Sequence, residues 1–158
     1  MEVRQIPMAQ LRGIIDEQLA HGEALLPVTG NSMWPLLVGG RDMVRLARPD
    51  RCTQSGDIAL YQKADGSYIL HRVIRLSASS VCICCGDAQW EGEQVDEAQI
   101  IAYVTAFRRK GHWQETALSR PYRLYEHFWV HTFPARRPLL RLLRFLQRAR
   151  RGLIRGRR

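Results

Sequence analysis

A serine and a histidine in this sequence have surroundings that suit nucleophilic chemistry. Ser32 lies in the segment 30–35, Gly-Asn-Ser-Met-Trp-Pro, between a glycine with wide backbone freedom and a proline whose φ is fixed. Pro35 also disfavours helical geometry at Trp34, so we expect a stiff turn around the serine. A serine hydroxyl attacks a carbonyl when it is held still beside a base. The segment therefore predicts either a rigid structural turn or the seat of a nucleophile.

A candidate base is His71, which follows Ser32 by 39 positions. It falls in a predicted strand, 68–74, whose alternation places it on one face with apolar neighbours. Burial beside apolar side chains favours the neutral imidazole, which is the form that accepts a proton. A carboxylate that orients the ring would complete the arrangement. The candidates are Asp87, in a Cys-Gly-Asp-Ala turn, and Asp96.

The elements that must position these residues are mainly strands. Residues 7–21 predict a helix, with Pro7 in its first turn and Gly22 at its end. Its apolar face is formed by Met8, Leu11, Ile14, Ile15 and Leu19. Strands are predicted at 43–46, 58–61, 68–74, 81–84 and 100–104, with an Asp-Gly hairpin turn at 64–67. Short strands at nearly regular spacing predict a compact β-barrel-like or sandwich fold and not a βαβ sheet.

The C-terminal part predicts two helices. Aromatic residues between positions 122 and 133 recur at helical spacing, and Pro134 and Pro138 separate them from a second helical run, 139–155. One side of that run is basic, with Arg141, Arg144, Arg148, Arg151 and Arg155. The other side is apolar apart from Arg150, with Leu139, Leu142, Leu143, Leu146, Leu153 and Ile154. The predicted organisation is an N-terminal helix in 1–24, a β-rich core in 25–112, and an aromatic, then Arg-rich helical extension in 113–158.

The positive charge of the chain is confined to its C-terminal part. The 158 residues carry a net charge of +9, yet residues 1–119 hold 12 Lys and Arg against 14 Asp and Glu, whereas residues 120–158 hold 12 Arg against one Glu. We expect the basic helix to contact a membrane surface or a partner, or to pack its leucines on the core. Nucleic-acid binding is the least supported use, because the body is slightly acidic and no base-reading motif occurs.

The composition is that of one globular domain, with 46% hydrophobic and 25% charged residues. No apolar run approaches the roughly 18 residues of a membrane span, and no secretory signal is visible at the N-terminus. We therefore expect a cytoplasmic protein, with peripheral contact to the inner face of the membrane if the basic helix binds there.

No metal or cofactor is expected from the sequence. Cys84 and Cys85 are adjacent on a predicted strand and point to opposite faces, so the cysteines suit neither a disulfide framework nor a zinc site. The histidines at positions 21, 71, 112, 127 and 131 form no metal-ligand motif, and no phosphate-cradling glycine loop is present. A metalloenzyme is therefore disfavoured.

Taken in order, four short motifs resemble those of a known superfamily. Residues 30–35, the Gly-Asp at 56–57, the His-Arg-Val-Ile at 71–74 and the Gly-Asp at 86–87 are similar in order and spacing to the motifs of type I signal peptidases and self-cleaving LexA-type repressors. The resemblance covers roughly residues 25–106. It implies a compact β-barrel-like peptidase fold and a serine endopeptidase with Ser32 as the nucleophile. His71 takes the place of the lysine base of most bacterial members, which resembles the Ser-His branch found in endoplasmic-reticulum and archaeal-type signal peptidases.

The resemblance also implies an assisting aspartate and an oxyanion hole. Asp87 matches the family's Gly-Asp motif, and Asp96 is the alternative because the loop after residue 87 has no second aspartate at a clear position. Many relatives carry a serine two positions before the nucleophile, whose hydroxyl helps to bind the oxyanion. That position is Gly30 here, so the hole would be formed by the Ser32 backbone N–H and Asn31.

The sequence shows neither the N-terminal anchor of signal peptidases nor the DNA-binding domain of the repressors. It is therefore similar to small stand-alone bacterial peptidases, which are often associated with the maturation of ribosomally made peptides. The resemblance implies cleavage of a leader or signal-like peptide without a cofactor. The alternative is a non-catalytic module that binds a peptide or a partner on a degenerate peptidase fold, which the missing serine at position 30 favours.

Overall fold

The computed structural model describes the backbone of residues 8–77 and 80–155, and the side chains of residues 12–77 and 80–149. Helix α1 spans Met8–Ala20 and precedes the strands. The strands are β1 Glu23–Pro27, β2 Met43–Ala47, β3 Ile58–Gln62, β4 Tyr68–Leu76, β5 Val81–Cys85, β6 Glu93–Asp96, β7 Ile100–Arg109 and β8 His112–Glu115. The helices α2, Arg120–His131, and α3, Arg136–Arg155, follow them. Short 3₁₀ helices at Glu97–Gln99 and Phe133–Ala135 precede β7 and α3.

The strands form one antiparallel sheet in the order β1-β2-β7-β3-β4-β5-β6, with β8 paired to β7. The long strand β7 pairs with β2 along one edge and with β3 and then β8 along the other. Within the described residues the end strands β1 and β6 do not pair, and both contribute residues to an open groove. The predicted barrel is therefore not closed, whereas a mainly β architecture with helices at its N- and C-terminal ends is confirmed.

The strands predicted from apolar alternation are present as β2, β3, β4, β5 and β7. Strands β1, β6 and β8 are not predicted by the pattern. Their sequences, EALLP, EQVD and HWQE, are short and two are mostly polar, so they depend on pairing with a neighbour and not on an apolar repeat. The predicted boundaries after residues 24 and 112 fall inside β1 and β8.

Helix α1 covers one side of the main core. Ile15 and Leu19 are buried against apolar residues of β1, β2, β3 and β7. Ile14 was expected on the same face but is exposed and lines the groove. The side chains of Met8 and Leu11 lie outside the described part of the chain.

The C-terminal helices are attached to the core at their beginnings. The Ser119 hydroxyl caps α2 by accepting from the N–H of Tyr122, and Tyr122 is buried. Helix α3 begins at Arg136, before Pro138, because proline is tolerated in the first turn of a helix. The side chains at positions 150–155, which include the predicted Arg151, Leu153, Ile154 and Arg155, lie outside the description. Among the described helices, none carries an apolar stretch sufficient to span a bilayer.

Candidate active site

Ser32 lies half-buried in a turn over residues 32–36 that follows β1. Its carbonyl oxygen accepts a hydrogen bond of 2.7 Å from the N–H of Ala88, in the turn after β5. The N–H of Leu37 donates to the Met33 carbonyl at 2.9 Å and closes the serine turn. Backbone hydrogen bonds therefore hold the Ser32 segment in place.

Gly39, and not Gly30, is the glycine that this segment requires. A Cβ on Gly39 would lie 2.3 Å from the Thr29 carbonyl oxygen, so only glycine allows the two chain segments to meet. The N–H of Gly39 also donates to Asn31 Oδ1 at 3.1 Å. Gly30 has no left-handed φ, and a Cβ there would meet no atom within 4 Å. The backbone freedom of Gly30 is thus not required by this turn.

His71 is buried on β4 and faces the groove. Its Nδ1 lies 3.1 Å from the Tyr61 hydroxyl oxygen, and that hydroxyl donates to Glu93 Oε1 in a short hydrogen bond. The same Glu93 oxygen lies 3.6 Å from His71 Nδ1. Lys63 Nζ forms an ion pair of 2.6 Å with the other oxygen of Glu93. A chain of polar contacts therefore runs from the histidine through a tyrosine and a carboxylate to a lysine.

The direction of these hydrogen bonds determines the tautomer of His71. The Tyr61 hydroxyl carries a single hydrogen, which it donates to Glu93. Its oxygen must therefore accept from Nδ1–H, which leaves a lone pair on Nε2. The Nε2 side of the ring faces Gly86, where a Cβ would lie 3.1 Å from it. The atom that can accept a proton thus points away from Glu93 and toward the turn that holds Ser32.

Burial lowers the pKa of the His71 imidazole below its ordinary value, and the nearby Glu93 carboxylate opposes this shift. Although burial raises the pKa of Glu93, the ion pair with Lys63 and the hydrogen bond from Tyr61 hold it below its usual value. His71 is therefore neutral at neutral pH, with an ionised carboxylate behind it. A neutral imidazole with a carboxylate near its Nδ1 is the arrangement that general-base catalysis needs.

Gly86 lies beside both the Ser32 turn and the His71 ring. A Cβ at this position would lie 2.6 Å from the Ser32 carbonyl oxygen and 3.1 Å from His71 Nε2. Both groups therefore pack against the same glycine, and a larger residue would force them apart. Among the described residues, Ser32 Oγ and His71 form no direct hydrogen bond. Hydrogen bonds between a nucleophile and its base are often long until substrate binds.

Asp87 does not orient His71. Both of its carboxylate oxygens accept from the Arg72 guanidinium, at 2.8 and 2.9 Å, and both side chains are fully buried. Since Arg72 follows His71 on β4, the two side chains point to opposite faces of the strand, and Asp87 lies on the arginine face. Asp96 instead caps the 3₁₀ helix by accepting from the N–H of Ala98 at 2.9 Å. We expected Asp87, or alternatively Asp96, to be the carboxylate next to the His71 ring. The carboxylate that lies there, linked through Tyr61, is Glu93.

Side chains of helix α2 contact the buried Arg72–Asp87 pair. The Tyr125 hydroxyl donates to Asp87 Oδ2 at 3.0 Å, and the indole N–H of Trp129 donates to the Asp87 carbonyl at 3.2 Å. Arg72 Nη1 donates to the Tyr122 hydroxyl at 3.2 Å. The ion pair therefore fastens the first C-terminal helix to the turn beside Ser32.

Arg136, at the beginning of α3, is a second buried guanidinium at this turn. It donates to the carbonyls of Gly86 at 3.3 Å, Gln89 at 3.4 Å and Trp129 at 2.8 Å. It also lies over the ring of Phe133, 4.9 Å from its centroid. The turn 86–89 is thus held by β4 from one side and by both C-terminal helices from the other.

Ser32 and His71 open onto one groove with a volume of about 1320 Å³. Its lining is mostly apolar and comes from α1, β1, β4, the segment around Ser32 and the stretch 88–93. Arg144 of α3 also lines it. Within the described residues the N–H of Ser32 donates no hydrogen bond, so it is available to an oxyanion. The groove can accommodate an extended peptide beside the serine.

Cys84 and Cys85 do not supply an alternative nucleophile. Burial raises the pKa of the Cys85 thiol to about 11, and the pKa of Cys84 is raised further by its contact with Cys82 and by burial. Both thiols are therefore protonated at neutral pH. Among the residues with described side chains, no cluster of His, Cys, Asp and Glu is arranged to hold a metal ion.

Tyr61 and Glu93 are the functional candidates that sequence reasoning missed. The hairpin register pairs Tyr61 with Ile69, which places Tyr61 on the same face as His71, so the alternation of the two predicted strands contains this signal. Glu93 lies in a stretch that the sequence predicts as a polar loop, and only the pairing of β6 with β5 brings it to the histidine.

No protein-family model matches the chain, and no curated protein compared with it is similar enough to count as a relative. The candidate site therefore rests on the residues and their geometry.

The Arg72–Asp87 pair generates a stability prediction. Asp87→Asn leaves a fully buried guanidinium without its counter-charge, so we expect the free energy of unfolding to fall by about 3–5 kcal/mol in urea denaturation. The matched control is Asp16→Asn, which breaks an exposed pair with Arg12 on α1 and should cost about 0.5 kcal/mol or less. Equal losses in the two variants would contradict the role given to the buried pair.

Proposed function

We propose that the protein is a serine endopeptidase of the signal peptidase type, which cleaves a leader or signal-like peptide with Ser32 as nucleophile and His71 as general base. The observation that carries this proposal is the approach of the Ser32 turn and the proton-accepting side of His71 to the same side of Gly86. Both residues also line the same groove.

The proposed reaction begins with transfer of the Ser32 hydroxyl proton to His71 Nε2 as Oγ attacks the peptide carbonyl. The Nδ1–H bond to Tyr61 holds the ring, and the Glu93 charge stabilises the imidazolium that forms. The Ser32 N–H binds the developing oxyanion, with Asn31 beside it. His71 then donates the proton to the leaving amine, and water hydrolyses the acyl-enzyme through the same base.

The groove favours an extended peptide with apolar side chains near the bond that is cut. β1 is an end strand of the sheet and contributes Leu25 and Leu26 to one wall, while Ile69 of β4 contributes to another. In β1 the Leu25 N–H already donates to Gln18 Oε1 at 3.0 Å, so a peptide would be held mainly by the apolar walls and by pockets for its alternate side chains. This arrangement supports a substrate chosen by a few small or apolar residues.

The alternative function is a module that binds a peptide or partner without cutting it. It is favoured by the absence of a hydroxyl at Gly30 and of a direct Ser32–His71 hydrogen bond. The two functions share the groove and differ only in turnover, so product formation distinguishes them.

The first prediction concerns the nucleophile. Ser32→Ala removes Oγ and should lower kcat about 10⁶-fold, to no detectable turnover. The measurement is mass spectrometry of a peptide library after incubation with wild-type and variant protein, together with labelling by a fluorophosphonate. Ser67→Ala, in the hairpin turn outside the groove, is the control and should keep both signals. If wild-type protein forms no product in any assay, the binding module is the better description.

The second prediction concerns the charges behind His71. The base acts when neutral, so activity is lost as the pH falls through the pKa of His71. Glu93 raises that pKa and Lys63 lowers it. Glu93→Gln should therefore lower kcat and move the acid limb of the pH profile to lower pH, whereas Lys63→Gln should move it to higher pH. Shifts in the same direction would show that these charges do not act on the base.

The third prediction concerns the oxyanion hole. Position 30 has room for a Cβ and no left-handed φ, so Gly30→Ser can place a hydroxyl next to the nucleophile without strain. An added donor of this kind should raise kcat by about 10-fold or more, since removal of one typically costs about 10²–10³-fold. Gly30→Ala tests the methyl alone and should leave kcat near the wild-type value. A serine variant no faster than the alanine variant would place the oxyanion elsewhere.

A further inference from the structure

Helix α3 has one face on the protein and an apolar face that is left exposed. Arg136 and Leu140 are buried, with exposed fractions of 0% and 1%. Leu142, Phe145 and Leu146 are 54%, 65% and 53% exposed. Helical spacing of three and four residues places these three on a continuous strip on the side away from the buried pair. We call Leu142, Phe145 and Leu146 the apolar strip of α3.

An arginine stripe borders this strip. Arg137, Arg141, Arg144 and Arg148 are all exposed and recur at intervals of four, three and four residues. The helix sequence, RRPLLRLLRFLQRARRGLIR, contains no acidic residue that could neutralise them locally. The exposed surface of α3 therefore combines large apolar side chains with positive charge along one flank that no residue of the helix itself neutralises.

Part of the stripe also holds the helix to the groove. Arg144 Nη2 donates to the Ala88 carbonyl at 3.2 Å, and the Arg137 guanidinium lies 5.2 Å from the ring centroid of Trp90. These contacts, together with buried Arg136, fix the helix relative to the turn beside Ser32. The apolar strip is not used by them.

The chemistry of the surface favours a lipid bilayer over the other occupants. A nucleic acid would meet the arginines through its phosphates but would leave the leucines and the phenylalanine in water. The boundary between headgroups and acyl chains accepts apolar side chains, and anionic headgroups attract arginine next to them. Both halves of the surface are satisfied there.

We propose that α3 docks onto the surface of a membrane that contains anionic phospholipid. The apolar strip enters the headgroup boundary and the arginine stripe contacts the lipid phosphates. Because α3 is attached to the turn 86–89, docking would orient the groove relative to the membrane. The proposal does not depend on catalysis, since it concerns binding alone.

The test is flotation of the full-length protein with phosphatidylcholine vesicles, prepared with or without phosphatidylglycerol. We expect wild-type protein to float with the anionic vesicles and to remain largely unbound with the neutral ones. Each arginine near the surface contributes roughly fivefold to partitioning, so Arg141→Gln/Arg148→Gln should weaken binding about 25-fold. Leu142→Ser/Phe145→Ser/Leu146→Ser should abolish flotation.

Control variants separate docking from general surface hydrophobicity and from misfolding. Leu118→Ser/Leu124→Ser removes two other exposed leucines, which are 80% and 72% exposed, and should float like wild type. Thermal unfolding monitored by circular dichroism should be unchanged in all variants, because each substituted side chain is exposed. Absence of wild-type flotation, or equal flotation of the wild type and the triple variant, would overturn the proposal. So would equal binding to neutral vesicles, or binding to a DNA duplex without binding to lipid.

Discussion

The buried ion pair between Arg72 and Asp87 is the contact on which the rest of the candidate site depends. It joins β4 to the turn after β5, and that turn holds the Ser32 segment through the Ala88 N–H. A fully buried pair contributes little net stability compared with apolar packing, but separating it is costly. Its consequence is positional, because the turn cannot move without leaving a charge unpaired. Gly86, within that turn, is where the serine and histidine segments meet.

Strand β4 directs two neighbouring side chains of the site, His71 and Arg72, to opposite faces. His71 faces the groove with Tyr61 and Glu93, while Arg72 faces the C-terminal helices. This follows from the alternation of side chains along a strand and separates a neutral, proton-accepting group from a permanent cation. The C-terminal extension is therefore part of the support of the site. Its aromatic helix α2 encloses the ion pair, and α3 reaches the same turn through Arg136.

Local sequence signals predicted much of this structure. The helix at the N-terminus, five strands and both C-terminal helices follow from apolar periodicity and from proline and glycine positions. The burial of His71 also follows from the alternation around it. The polar strands β6 and β8 could not be predicted, because four residues without an apolar repeat form a strand only where a neighbouring edge accepts their hydrogen bonds. For the same reason the sequence does not show that Glu93 lies near His71, because Glu93 is on β6.

The sequence by itself determined which residues could act as nucleophile and base, since their types and local backbone restrictions are properties of short segments. It also determined that the basic charge belongs to an amphipathic C-terminal helix. Only the tertiary structure decided which carboxylate lies beside the histidine. Asp87 looked suitable because of its motif, but its partner depends on which face of β4 it meets, and that is set by long-range strand pairing. Tertiary packing likewise decided that the described strands form an open sheet, since whether β1 pairs with β6 depends on contacts between residues far apart in the chain.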